Sequence, residues 1–117
     1  MINIGFYKRD YRTMIIKDII HEFKSEIEKL YSKKLKHVIL YGSWARNKST
    51  VESDIDLLVI LEGEILPGQE IDAMIDIITD INLKYDVLLS VYPVSEQDYI
   101  KINSPLLINV RKEGIAV

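Results

Sequence analysis

Residues 41–60 read YGSWARNKSTVESDIDLLVI, and their reading decides the fold. The apolar run Ile55 to Leu61 has the length and β-branched content of a buried strand. Aspartate is depleted in strands, yet Asp54 and Asp56 stand at the mouth of this one. Side chains alternate faces at about 3.3 Å per residue. The two carboxylates therefore project from one face, about 6.6 Å apart at the backbone and free to converge. Taken alone, the pair admits two readings: a site, or a loop residue beside a satisfied polar group at a strand edge. Twelve positions before Asp54, Gly42 permits a tight turn and a close backbone approach. Ser43 follows it with a hydroxyl.

The chain around this stretch has 117 residues, 48% of them hydrophobic and 28% charged, with net charge −3. These values describe one ordinary globular domain, residues 1–117. No basic field draws it to long nucleic acid. The chain has no cysteine, which excludes disulfides, thiolate catalysis and zinc–thiolate sites. The stretch MINIGFYKRDYR lacks an apolar signal core, and no run approaches the roughly 18 residues of a membrane span. A cytoplasmic location is expected.

Outward from the strand, apolar residues Ile16, Ile19, Ile20, Phe23, Ile27, Leu30 and Tyr31 recur at helical spacing. They predict a long amphipathic helix from Asp10 to Lys34. Lys36–Tyr41 reads as a short buried strand ended by Gly42. A second helix is expected over Gln69–Leu83, with Ile71, Met74, Ile75, Ile78 and Ile81 (or Ile77) inward. Asp86–Tyr92 reads as a third strand stopped by Pro93. Ser95 begins a short helix, and Ser104-Pro105 begins another, with Gly114 at its C′ position. The short link between the first two strands suits antiparallel pairing, and the helical crossover to the third implies a parallel one. The expected fold is α/β (α+β): a small mixed sheet flanked by helices.

On this reading Asp86 opens the strand parallel to the second one and joins Asp54 and Asp56 at one sheet end. Three carboxylates repel unless a cation joins them. Hard oxygen ligands point to Mg2+, with Mn2+ as the other candidate. Across from them, the start of SWARN offers N–H groups and a hydroxyl suited to phosphate, and Arg46 can reach the same anion. The blander alternatives are a capped strand end at Gly42-Ser43, a solvated Arg46 and a strand-flanking Asp86. His21 and His37 are read as non-ligands. The lysines at 29, 33, 34 and 36 fall at a helix C-terminus; cations there favour the dipole. Trp44 is expected to pack on the sheet or on a partner.

The constellation resembles the nucleotidyltransferase superfamily related to DNA polymerase beta, with its Gly-Ser, ten residues, Asp-x-Asp signature. Here it stands as Gly42-Ser43, residues 44–53, and Asp54-Ile55-Asp56. Four fixed positions at average usage would match by chance about once in a thousand chains of this length. The chain looks like the minimal nucleotidyltransferases, many of which pair with HEPN toxins. Asn47 stands where those proteins usually carry glycine, and Asn tolerates a left-handed backbone.

The resemblance implies a minimal nucleotidyltransferase fold and transfer of a nucleotidyl group from ATP, with pyrophosphate leaving. It implies Asp54, Asp56 and Asp86 as catalytic and metal-binding residues, and Gly42, Ser43 and Arg46 as nucleotide-binding ones. Larger relatives carry separate acceptor-binding domains. The acceptor site is therefore expected to be completed by a HEPN-domain toxin in a hetero-oligomer, with adenylylation of a toxin tyrosine as the neutralising step. Two alternatives stand beside this: transfer to a small aminoglycoside-like hydroxyl with a partner subunit, and neutralisation by contact alone.

Overall fold

The computed structural model describes residues 4–46, 48, 49 and 53–117, with side chains from residue 15 onward. Helix α1 (Ile4–Tyr31) runs through a 3-10 turn, Ser32–Lys34, into strand β1 (Leu35–Tyr41). A single helical turn, α2 (Gly42–Ala45), leads toward β2 (Ile55–Leu61). Helix α3 (Pro67–Tyr85) crosses to β3 (Leu89–Ser95), and α4 (Glu96–Lys101), α5 (Pro105–Glu113) and β4 (Ile115–Ala116) follow. The sheet order is β3-β2-β1-β4. β1 pairs antiparallel with β2 and β4, and β2 pairs parallel with β3. This is the expected mixed sheet with helices on it, enlarged by one short edge strand.

β2 is central and buried on both faces: Ile55 and Leu57 to Leu61 are all buried, and only Asp56 is partly open. Its odd-numbered residues pack with Val38, Leu40 and Leu89 under α1 and α3, where Ile19, Phe23, Ile27, Met74 and Ile78 complete the larger core. Leu58 and Ile60 face the other way, onto Ile39, Val94, Leu107 and Val110 beneath α5. Full burial of one such aliphatic side chain contributes about 1.5–3 kcal/mol, so β2 anchors both layers. Leu30 and Ile75, expected inward, are exposed. They lie at the borders of stripes whose centres hold the core.

The third strand begins three residues later than its apolar pattern suggests. Asp86 is the left-handed C-cap of α3 (φ 51°, ψ 51°) and gives its N–H to Asn82 O. Val87 N–H also bonds Asn82 O (3.2 Å), while the Asn82 side chain accepts Leu89 N–H (2.9 Å). Asn82 thus ends the helix and starts the strand. Pro93, expected to stop the strand, lies inside it opposite Val59. Ile55 N–H bonds Leu88 O, so by alternation the even residues of β3 turn their backbone groups toward β2 and the odd ones outward. Proline's missing donor therefore falls on the free edge, where it obstructs pairing with another strand.

The expected caps are present: Ser95 Oγ accepts Asp98 N–H (3.1 Å) and Ser104 Oγ accepts Leu107 N–H (3.2 Å). Gly114 does follow α5, but with an ordinary extended backbone (φ −66°). Its lack of a side chain serves close approach. A Cβ there would lie 2.5 Å from Val110 O and 2.6 Å from Ile39 Cγ2. Gly114→Ala is expected to loosen β4 from β1 and cost about 1–3 kcal/mol, measured by urea unfolding, with amide exchange accelerated at Val117, whose N–H bonds Val38 O.

Candidate active site

At the C-terminal end of β1 the chain turns at Gly42, whose φ of +74° is left-handed. A Cβ at Gly42 would collide with Asp56 Oδ2 and lie 3.0 Å from its Cγ. The glycine is thus required twice, by the backbone angle and by the carboxylate lying against it. The turn is closed by Arg46 N–H on Gly42 O (3.1 Å) and Lys48 N–H on Ser43 O (2.9 Å). Trp44 packs against the larger core and gives its indole N–H to Ser53 O (3.3 Å), tying the turn to the residue before Asp54. Asn47 lies outside the described residues.

Asp56 occupies the face that carries Leu58 and Ile60. Its register partners are Tyr41 on β1 and Ser90 on β3. Since paired residues project to the same side of a sheet, Tyr41, Asp56 and Ser90 form one row across three strands. Burial raises the Asp56 carboxyl above its ordinary value, and Asp54 raises it further, while Arg46 opposes them. A raised native value means that ionisation of Asp56 weakens the fold: its stability contribution is fullest at acid pH and is lost as pH rises through the native value. The same carboxylate, with burial as the larger cause, pushes the Tyr41 phenol up to about 12.

Arg46 is exposed, and its Nη1 lies 3.7 Å from Glu113 Oε2 at the end of α5. An open pair of this kind holds weakly, so the guanidinium is free to exchange Glu113 for another anion. Gly42, Ser43, Arg46, Asp54 and Asp56 are therefore gathered at one end of the sheet. Asp86 is not gathered with them. It sits in the cap of α3, and among the described residues no three His, Cys, Asp or Glu side chains are close enough to share an ion. Among the described residues the expected three-carboxylate cluster is not assembled, and Asp86 lies in the left-handed cap of α3, before β3 begins. Ser90 and Tyr41, beside Asp56 in its row, are not among the expected site residues. Only the pairing register reveals them, and single-residue patterns do not carry register.

Two neighbouring carboxylates, of which Asp56 is raised by burial and by the charge of Asp54, with no lysine or arginine among the described residues bonded to them, form a donor set that suits a hard divalent cation. Mg2+ is commonly held by one or two carboxylates together with substrate phosphates. The residues present fit it.

Residues 17–115 match the family described as Polymerase beta, Nucleotidyltransferase. Two relatives from Methanocaldococcus jannaschii carry the names "Putative protein adenylyltransferase MJ0604" and "Putative protein adenylyltransferase MJ0141". The first is 38% identical over 81% of this chain and 90% of its own length. The second is 42% identical over 66% of this chain and 77% of its own. Among solved structures, one described as a toxin-antitoxin with AMP-PNP superimposes with TM-score 0.57 at 17% identity, covering 80% of this chain and 68% of that one. A structure described as a "putative nucleotidyltransferase from Sulfolobus solfataricus" gives 0.52 at 18% identity, over 86% and 83% of the two chains. At these identities the structural likeness shows the fold.

Gly42→Ala should cost about 2–4 kcal/mol, combining the left-handed penalty with displacement of the Asp56 side chain. Urea unfolding measures it. The Gly42→Ala, Asp56→Ala double variant should recover the steric part, leaving only the backbone penalty.

Proposed function

On the premise that the chain belongs to the polymerase-beta nucleotidyltransferase family, we propose that it transfers AMP from ATP to a hydroxyl of a partner protein, and that the partner is a HEPN-domain toxin which the modification silences. The observation that carries this reading is the packing of the Asp56 carboxylate onto the Gly42 turn. It unites the two halves of the Gly-Ser and Asp-x-Asp signature in one site. The names of the Methanocaldococcus relatives support a protein acceptor. The fold shared with a toxin-antitoxin component supports a toxin as that acceptor.

Asp54 and Asp56 would hold Mg2+ (or Mn2+), which when bound supplies charge neutralisation at the triphosphate. Gly42 lets the backbone approach the phosphates without a side chain between them. Ser43 offers its N–H and hydroxyl, and Arg46 leaves Glu113 for a phosphate oxygen. These groups orient the α-phosphate for attack by the acceptor oxygen. The new oxygen–phosphorus bond forms as the α–β bridging bond breaks, pyrophosphate leaves, and the acceptor's proton passes to solvent. The preorganised turn and the cationic Arg46 supply stabilisation where charge develops.

Asp54→Asn and Asp56→Asn keep shape and remove charge. Each is expected to lower transfer of label from α-labelled ATP to the toxin by roughly 100-fold or more, with the label on a toxin tyrosine. Neither should unfold the chain, and Asp56→Asn should raise the thermal midpoint, because it removes a carboxylate that burial and Asp54 disfavour. Modified toxin should stay inactive after separation. Toxin that carries no added mass and regains ribonuclease activity once separated would replace transfer with inhibition by contact.

A further inference from the structure

The row Tyr41–Asp56–Ser90 places a hydroxyl where the sequence pattern leads one to expect a carboxylate. We propose that Ser90, and not Asp86, is the third group of the metal- and nucleotide-binding site, and that the divalent cation and the triphosphate consequently bind this chain as a unit. The proposal rests on the nucleotidyl-transfer reading and adds to it a residue and a binding order.

Ser90 is the parallel-register partner of Asp56, on a neighbouring strand about 4.8 Å away. Its side chain is exposed, so it is available to a ligand. Asp86 is four positions upstream. Its backbone is left-handed, its N–H is engaged by Asn82 O, and α3 fixes its place. The residues two positions to either side, Leu88 just before β3 and Tyr92 within it, carry no charge either. The wall facing Asp54 and Asp56 from β3 is therefore one hydroxyl between two largely apolar side chains.

This difference in charge decides how a cation is held. A third carboxylate would let the ion bind ahead of the nucleotide. Two carboxylates leave much of the coordination sphere to water, and Mg2+ gives up its water reluctantly. The triphosphate oxygens then supply the missing negative ligands, so each partner strengthens the other's binding equally. The Ser90 hydroxyl adds no charge. It donates to a carboxylate or phosphate oxygen and accepts from a bound water, orienting what the ion and nucleotide bring.

The test is Mn2+ affinity without nucleotide, read from the free-ion paramagnetic signal, together with retention of a non-hydrolysable ATP analogue with and without Mn2+. The wild type should bind Mn2+ weakly alone, and the ion should strengthen analogue retention about tenfold or more. Ser90→Asp supplies the third carboxylate and should tighten nucleotide-free Mn2+ binding by about tenfold. Asp86→Asn, which tolerates the left-handed cap, should leave both readings within about twofold. Unchanged Mn2+ binding in Ser90→Asp, or an about tenfold loss in Asp86→Asn, would overturn the assignment. Neither reading uses turnover, so failure here leaves nucleotidyl transfer by the wild type standing. Conversely, a wild type that transfers no label still reveals by these affinities which residue adjoins the ion.

Discussion

The contact between the Asp56 carboxylate and the Gly42 backbone is the constraint on which the site depends. It needs β1 and β2 paired in one register, so that Tyr41 faces Asp56. It needs the chain to leave β1 through a left-handed residue, which puts the turn under the carboxylate instead of beyond it. It also needs a residue without a Cβ. Shifting the β1–β2 register by one residue would turn Asp56 into the larger core and exchange the residues that β2 presents to its two layers. The hydrophobic layers on both faces of β2 therefore fix the chemistry as firmly as they fix the fold.

The site is placed at a border. Asp56 is the one residue of β2 that is not buried, and it stands where the α5 layer ends, before the row of Ile39 and Leu58. Below it the face is sealed by Leu107 and Val110. Above it the sheet is open, with Asp54 and Ser90 exposed. A carboxylate at such a border is destabilised enough to favour a cation, yet remains reachable by one. Arg46 and Glu113 extend the border from the turn to the end of α5, joining the Gly42 turn to that helix.

The parts legible in the sequence were those written in local patterns. β2 coincides with its apolar run, the serine caps of α4 and α5 bond as their positions imply, and the Gly-Ser and Asp-x-Asp halves meet. The parts that were not legible depend on partners distant in the chain. The run DVLLSVY reads as a strand from its first residue, but Asn82 holds the helix end and delays the strand to Leu89. Pro93 looked like a terminator because its sequence does not reveal which side of the strand faces β2. The two-residue β4 has no periodicity to read, and it exists because Gly114 lets the chain pass close to Ile39. Asp86 falls before the strand for the same reason, and Ser90 takes the register position beside Asp56.

The central claim is that the Gly42 turn and the Asp54–Asp56 pair are two sides of one cation- and nucleotide-binding site. Thermal unfolding with Mg2+ and a non-hydrolysable ATP analogue tests it most directly. With both ligands about 100-fold above their dissociation constants, the midpoint should rise by roughly 10 °C. The rise should vanish in Asp54→Asn. A wild-type midpoint unchanged by the two ligands together, or an equal rise in Asp54→Asn, would contradict the account.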